Sequence, residues 1–337
     1  MVKALSLFSG GLDSTLAARV LMDQGIDVIS VQFITPFFQY KNKGCEEKAT
    51  EDFKKRFGLN VMIVDVTEDY LKMLKNPVYG YGKNFNPCID CKIFLLKRAR
   101  KLMDELGASF LATGEVLGQR PMSQRRDALR IIERDAGVEG ILLRPLCAKH
   151  LAPTKAELAG LVDRDRLLDF SGRSRTAQME LAKHYGIDDY ASPAGGCLLT
   201  DPIVSVRIRK LLAGKEILEV QDLLLMAVGR HFSLPGGQLF VGRYEKDNEK
   251  LEKLVRPADH VLMAAESKGP FALYRRTNAE PAVTEADLNL AARIVARYSG
   301  AKNDPEVPVL ILSGGLERII SVAPAAEEEI EPLWTVY

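Results

Sequence analysis

The residues best suited to chemistry lie close to the N-terminus, where serines and one aspartate surround two glycines: Ser9, Gly10, Gly11, Leu12, Asp13 and Ser14. We call residues 9–14 the glycine loop. The glycines allow a tight turn that exposes backbone N–H groups, and a helix that begins there favours an anion. The serine hydroxyls add donors, and Asp13 can help to hold Mg²⁺. The loop therefore predicts a pyrophosphate cradle; the alternative is a plain helix cap.

Three of the five cysteines form a second group with chemical potential. Cys88 and Cys91 have C-x-x-C spacing at the start of a predicted helix, and Cys197 follows two glycines. Three thiols suit a 4Fe–4S cluster with one iron open to an external sulfide. They also suit a persulfide pair, in which one thiol carries sulfur and another attacks it. The remaining alternatives are a zinc site, which would need a fourth ligand, and merely buried cysteines.

The composition is that of an ordinary globular protein. Of the 337 residues, 47% are hydrophobic and 27% are charged, and the longest stretch without an acidic or basic side chain, residues 28–40, is too short to span a membrane. Without a signal peptide, we expect a cytoplasmic protein with reduced thiols, in which Cys45 and Cys147 have no special role. The net charge is only +1, so contact with nucleic acid must come from local patches.

The elements that must position these groups alternate along the first part of the chain. Apolar runs predict strands at residues 2–8, 28–33, 61–65, 109–113 and 141–144, with helices near 14–25, 45–57 and 91–106. Strands joined by helices imply a parallel sheet, so we predict a doubly wound α/β domain over residues 1–215. Shorter β-like runs and helices near 244–254 and 285–298 predict a second, smaller α+β domain over residues 216–337.

The glycine loop resembles the PP-loop of ATP pyrophosphatases, which adenylate a substrate and release pyrophosphate; the Gly-Lys-Thr/Ser of a Walker motif is missing. Residues 113–115, 117–119, 123–124 and 143–146 are similar to the PP-loop domain of the 4-thiouridine synthase family (ThiI). Residues 86–92 resemble the matching segment of tRNA 2-thiouridylases. The resemblance covers about residues 1–200 and implies ATP, Mg²⁺ and a tRNA substrate.

Further site residues are expected on the strand ends and on the segment that follows the fourth strand. We expect Phe33, Thr113 and Gly114 to contact the nucleotide. Contacts with the substrate base or its phosphates are expected from six residues: Gln119, Arg120, Ser123, Gln124, Arg125 and Arg126.

Two groups of basic residues flank the predicted site. The first is Lys92, Lys97, Arg98, Arg100 and Lys101, and the second is Arg120, Arg125, Arg126, Arg130 and Arg134. Both can neutralise RNA phosphates and give salt-dependent binding. The alternative is that they form solvated helix faces.

The C-terminal part resembles the NFACT-R RNA-binding domain. The resemblance covers about residues 230–322 and is carried by residues 236–243, by Asn248 and by the predicted helix at 291–299. We find neither the THUMP module nor the rhodanese domain of ThiI proteins, and an NFACT-R-like domain would supply the missing contact with RNA.

Together these features predict ATP-dependent thiolation of a tRNA uridine, of the 4-thiouridine or 2-thiouridine type. The base carbonyl would be adenylated, pyrophosphate would leave, and sulfide or a persulfide from a cysteine desulfurase would attack at the three-cysteine site. Two alternatives remain: sulfur transfer to a small molecule, and a non-catalytic RNA-binding adaptor regulated by a nucleotide.

Overall fold

A computed structural model describes residues 2–190, 197–214, 219–276 and 283–335. The chain divides into two compact units, Met1–Thr200 and Asp201–Tyr337. The boundary predicted at 215/216 lies later in the chain, among residues outside the described ranges. The helix that precedes it, Pro202–Gly214, belongs to the second unit.

The first unit contains a five-stranded parallel sheet with the order β3-β2-β1-β4-β5. Its strands are β1 (Lys3–Leu7), β2 (Asp27–Ile34), β3 (Asn60–Asp65), β4 (Phe110–Thr113) and β5 (Leu142–Leu143). The strand order reverses between β1 and β4, and such a switch point opens a crevice at the carboxyl ends of the two strands. The predicted doubly wound fold is confirmed, with the glycine loop and residues 114–115 at this crevice.

Seven α-helices of the described residues accompany this sheet: α1 (Leu12–Met22), α2 (Glu46–Phe57), α3 (Thr67–Lys75), α4 (Cys88–Glu105), α5 (Arg126–Ala136), α6 (Lys155–Leu158) and α7 (Thr176–His184). Apolar residues at helical spacing place α1 and α4 in two separate cores. Leu16 and Val20 of α1 belong to one cluster. Ile93, Leu96 and Ala99 of α4 belong to the other, together with Leu111 of β4.

The second unit contains a six-stranded antiparallel sheet with the order β11-β10-β8-β9-β7-β6. Its strands are β6 (Arg230–Leu234), β7 (Gly237–Val241), β8 (His260–Ala264), β9 (Ala272–Arg276), β10 (Val307–Ser313) and β11 (Leu316–Val322). Its described helices are α8 (Pro202–Gly214), α9 (Val220–Leu225), α10 (Glu245–Glu252), α11 (Glu285–Arg297) and α12 (Glu327–Ile330). Ala291, Ile294 and Val295 of α11 pack on the sheet and form the core of this unit. The predicted smaller α+β domain is therefore confirmed.

In the ranges that the structure describes, none of the helices combines the length and the apolar character needed to cross a membrane.

Candidate functional site

The glycine loop joins β1 to α1 at the crevice. Gly10 has φ +76°, a left-handed conformation that favours glycine, and it turns the chain toward the helix. Gly11 is the N-cap of α1, and the described residues provide no side-chain cap there. Because the first N–H groups of a helix lack partners within the helix, this end of α1 can accept an anion.

Hydrogen bonds within the loop fix its shape. Ser14 Oγ donates to Gly11 O over 2.8 Å and accepts the Ser9 N–H over 3.2 Å. Gln39 Nε2 donates to Ser9 O over 2.7 Å, and Gln39 itself has φ +56°, which is unusual for a residue with a side chain. Hydrogen bonds of Ser14 and of Gln39 thus fix the shape of the glycine loop.

The end of β4 lies directly against the loop at Gly114. A Cβ atom at this position would lie 2.4 Å from the carbonyl carbon and oxygen of Asp13 and 2.5 Å from the backbone nitrogen of Ser14. The neighbouring residue Thr113 is buried. Thr113 and Gly114, both predicted as nucleotide contacts, are therefore beside the loop, and only glycine fits at 114.

Two side chains from distant parts of the chain hold Asp13. Gln119 Nε2 donates to Oδ2 over 2.8 Å, and Gln178 Nε2 donates in turn to Gln119 Oε1 over 3.2 Å. Arg175 Nη2 lies 3.4 Å from Oδ1. The carboxylate is thus oriented on both oxygens, and Arg175 and Gln178 are contacts that the motif analysis missed.

A buried ion cluster lies behind Gly114. Glu115 is 2% exposed; Arg144 Nε donates to its Oε2 over 2.9 Å, and Lys92 Nζ lies 3.3 Å from its Oε1. Arg144 also pairs with Glu133 of α5. Burial opposes ionisation, but Lys92 and Arg144 outweigh it and lower the pKa of Glu115 to about 2. The cluster joins the end of β4 to α4 and α5.

The three predicted thiols gather around Tyr70 of α3. Cys88 and Cys91 lie in the first turn of α4, where Asn86 Nδ2 donates to Cys88 Sγ over 3.2 Å. Tyr70 forms a side-chain hydrogen bond with Cys91, and all three thiols act on the pKa of the Tyr70 hydroxyl. The structure thus brings Cys197 into electrostatic range of the Cys88/Cys91 pair. Residues 192–196 of the loop before Cys197 lie outside the described residues.

Burial dominates the acidity of two of these thiols. It raises the pKa of Cys91 to about 11, against the opposing effects of the Tyr70 hydrogen bond and of Lys92. Burial and the neighbouring thiol of Cys91 raise the pKa of Cys197 to about 12, with Arg120 acting in the opposite direction. Of the other cysteines, Cys45 is exposed, and Cys147 is buried with its thiol 3.3 Å from Glu115 O.

An iron–sulfur cluster with one open iron takes three thiols as protein ligands, and Cys88, Cys91 and Cys197 all influence the pKa of Tyr70. As the side chains are arranged, however, no three His, Cys, Asp or Glu residues of the described ranges form a group that could hold a metal ion. The thiols therefore fit a cluster in type and number, but not in the arrangement of the described side chains.

The remaining predicted contacts differ in accessibility. Phe33 and Leu12 lie in apolar cores, at 5% and 0% exposure. Ser123 and Gln124 are also buried, and Oε1 of Gln124 has no hydrogen-bond partner within the described ranges. Arg120, Arg125 and Arg126 are exposed, and Arg125 Nε lies 3.4 Å from the Asp127 carboxylate.

Much of the basic charge on α4 is compensated within the unit. Lys92 pairs with Glu115, Arg98 lies 2.5 Å from an oxygen of Asp69, and Arg100 lies 3.4 Å from one of Asp104. In the second group, Arg134 lies 2.7 Å from Asp135. The exposed arginines that begin and precede α5 are thus the better candidates for contact with phosphates.

Two family models match separate parts of the chain. Residues 1–152 match the model described as thiamine biosynthesis protein (ThiI), and residues 229–335 match the NFACT protein RNA binding domain. The second match includes the sheet of the second unit. Both resemblances drawn from the motifs are thereby confirmed.

Curated relatives match over shorter stretches. The tRNA-specific 2-thiouridylase MnmA of Syntrophotalea carbinolica is 34% identical over 117 residues, which is 33% of each chain. A probable tRNA sulfurtransferase of Thermococcus kodakarensis is 30% identical over 146 residues, 43% of this chain and 36% of its own. The chain thus covers about a third of the length of these relatives.

Among solved structures, the U34-tRNA thiolase NcsA from Methanococcus maripaludis with its 4Fe-4S cluster matches 66% of this chain and 70% of its own, at 17% identity and a TM-score of 0.33. That score is too low to bear on the fold or on the chemistry of this chain. The matches and the motifs agree: residues 1–152 are similar to ThiI, and residues 229–335 are similar to the NFACT RNA binding domain.

Proposed function

We propose that the chain is an ATP-dependent tRNA sulfurtransferase, which replaces a uridine carbonyl oxygen with sulfur and releases AMP and pyrophosphate. The observation that carries the proposal is the short path between the glycine loop and the thiols. Cys91 precedes Lys92, which pairs with Glu115; Glu115 follows Gly114, which lies against Asp13. ATP at the loop and sulfur at the thiols would therefore react in one crevice.

ATP solves the problem that a carbonyl oxygen is a poor leaving group. The oxygen attacks the α-phosphorus, the bond to the pyrophosphate oxygen breaks, and the base is adenylated. The N–H groups of the glycine loop and of the start of α1 bind the departing pyrophosphate. Asp13 would help to hold Mg²⁺, which would neutralise part of the pyrophosphate charge. Ser9 and Ser14 keep the loop in shape.

Sulfur then attacks the adenylated carbon, AMP leaves, and a thiocarbonyl remains. Cys88, Cys91 and Cys197 would hold that sulfur. A 4Fe–4S cluster, when bound by these thiols, would offer one iron to an external sulfide. In the alternative, the terminal sulfur of a cysteine persulfide bonds to the base, and a second thiol attacks the carrier sulfur. That step releases the thiolated base and leaves a disulfide, which a thiol reductant must reopen.

The RNA would be held by both units. The target base must be unpaired or flipped to reach the crevice. Arg120, Arg125 and Arg126 are exposed beside the site, where guanidinium groups can bind phosphates, and the NFACT-R-like segment supplies a further RNA contact. We expect affinity for unmodified tRNA to fall steeply as salt rises, which a gel shift at graded salt concentrations measures.

The proposal is tested by incubating the full chain with ATP, unmodified tRNA and a sulfur donor, followed by nucleoside mass spectrometry and a pyrophosphate assay. The donor is sulfide for the cluster route and cysteine with a cysteine desulfurase for the persulfide route. We expect thiouridine, and pyrophosphate release that requires RNA and continues over many turnovers only when a sulfur donor is present. Asp13→Ala and Cys197→Ala should each abolish thiolation, whereas Cys45→Ala, which changes an exposed thiol, should not. Full activity of Cys197→Ala would show that this thiol is not part of the mechanism. Thiolation of a small molecule instead of tRNA would contradict the proposed substrate class.

The choice between cluster and persulfide is tested by anaerobic purification followed by iron and acid-labile sulfide analysis. Four irons per chain, about the content of one 4Fe–4S cluster, would support the cluster. One tightly bound zinc would contradict both sulfur-carrying alternatives.

A further inference from the structure

Arg175 contacts the glycine loop from a distant part of the chain. It is the N-cap residue of α7, and its Nη2 lies 3.4 Å from Asp13 Oδ1. Both side chains are largely buried, at 17% and 19% exposure. The glycine loop contains no Lys or Arg of its own, so Arg175 brings to it a positive charge that a polyphosphate site needs.

The guanidinium of Arg175 retains unused hydrogen-bonding capacity. Its contact with Asp13 is longer than the roughly 2.7–2.9 Å of a charge-assisted hydrogen bond. Its Nε is buried and has no hydrogen-bond partner in the part of the chain that the structure describes. A buried donor without a partner is unfavourable, and a phosphate oxygen at the glycine loop would satisfy it.

Asp13 keeps one of its two side-chain contacts when Arg175 is removed. Gln119 donates to the other carboxylate oxygen, and Gln178, which is 1% exposed, holds Gln119. Helix α7 also packs against α1. Arg175 can therefore leave Asp13 while the carboxylate stays in place.

We propose that Arg175 is a phosphate-binding residue of the nucleotide site, which leaves Asp13 and binds the pyrophosphate moiety of ATP. This inference rests on the proposed use of ATP. The planar guanidinium matches two phosphate oxygens at once, and its position at the start of α1 matches the place where pyrophosphate would be held. In this role Arg175 binds the pyrophosphate that departs and makes no direct contact with the AMP half of ATP.

Isothermal titration calorimetry of the full chain with Mg-ATP, Mg-pyrophosphate and AMP tests this role. Arg175→Ala should weaken binding of Mg-ATP and Mg-pyrophosphate by about tenfold or more, and AMP binding should not change. Arg175→Lys keeps the positive charge but lacks the planar guanidinium that can bind two oxygens. Its affinity for Mg-ATP and Mg-pyrophosphate should lie between those of wild type and Arg175→Ala. The matched control is Arg173→Ala, which removes an exposed arginine nearby and should bind all three ligands like wild type.

Thermal unfolding shows whether each variant is folded. If Arg175→Ala does not fold, the affinities of Arg175→Lys are compared with those of wild type instead. Equal losses for AMP and Mg-pyrophosphate would indicate a role in shaping the site and would overturn the inference. Unchanged Mg-ATP binding in the Arg175 variants would also overturn it while leaving the proposed function intact. Failure of the wild-type chain to bind Mg-ATP would refute the proposed function itself.

Discussion

At the scale of single residues, burial separates the thiols of Cys91 and Cys197 from the exposed thiol of Cys45. It raises the pKa of Cys91 to about 11 and, together with the thiol of Cys91, that of Cys197 to about 12. A raised pKa means that the thiolate forms only as the pH approaches that value. In the metal-free protein these two groups are therefore neutral thiols at neutral pH.

We predict that iodoacetamide alkylates Cys45 well before Cys91 and Cys197 at neutral pH, because the reagent needs an accessible thiolate. Raising the pH toward about 9 should increase the labelling of Cys91 and Cys197 only slightly, since it stays below both pKa values. Peptide mapping by mass spectrometry measures the labelling. Equal labelling of Cys45 and Cys91 at neutral pH would contradict the described burial.

At the scale of elements, the buried cluster of Glu115, Lys92 and Arg144 connects β4 to α4, the helix that carries Cys88 and Cys91. Its carboxylate has a pKa lowered to about 2 from the ordinary 4.5. A lowered folded-state pKa stabilises the fold above the ordinary value, and this stabilisation is lost as the pH falls toward about 2. The first unit should therefore lose stability in acid partly through Glu115.

Glu115→Gln is predicted to lower the free energy of unfolding by about 3 kcal/mol, because it leaves buried cationic groups less compensated. It should also reduce the acid sensitivity of stability, since the titrating group is gone. Urea unfolding at neutral and acidic pH measures both effects. Glu139→Gln, at an exposed position, is the control, and an equal effect of the two substitutions would refute the cluster's contribution.

Element prediction from the sequence worked where a buried strand or an apolar helix face repeats clearly. The parallel strands and the helices that begin near residues 14, 45 and 91 agree with the structure to within a few residues. Helix α5 was noticed only for its arginines, although Leu129 and Ile132 are buried at helical spacing. The hairpin β10–β11 was missed because most of β11 is exposed and lacks an alternating apolar pattern.

The candidate site was predictable only in part, for a related reason. Motifs reveal residues that are close in sequence, such as the glycine loop and the Cys88/Cys91 pair. Tyr70 lies in a helix that was not predicted, and Arg175 meets Asp13 across 162 positions of the chain. Such contacts arise from tertiary packing, which leaves no local pattern.

At the scale of the whole molecule, each of the two units has its own sheet and its own apolar core. The core of the second unit is centred on α11, and Arg275 adds buried ion pairs with Asp259 and Asp222 at 2.6 and 3.2 Å. A unit with a complete core can fold on its own. The NFACT-R-like match lies inside this unit.

We predict that a fragment of residues 201–337 unfolds in one cooperative transition and retains salt-dependent RNA binding. Circular dichroism during urea unfolding and gel shifts with unmodified tRNA measure the two properties, with the full chain as the reference. A fragment without a cooperative transition would show that its core is insufficient. If the fragment folds but does not bind RNA, tRNA binding is assigned to the first unit.

The contact at Gly114 has a consequence for what evolution or a protein engineer can change. A methyl group at residue 114 would overlap the backbone atoms of Asp13 and Ser14. A saturation library at codon 114, selected for isotope exchange between pyrophosphate and ATP, should return glycine alone. Position 114 is therefore expected to stay glycine, whereas the exposed positions of Arg120, Arg125 and Arg126 have room for other side chains.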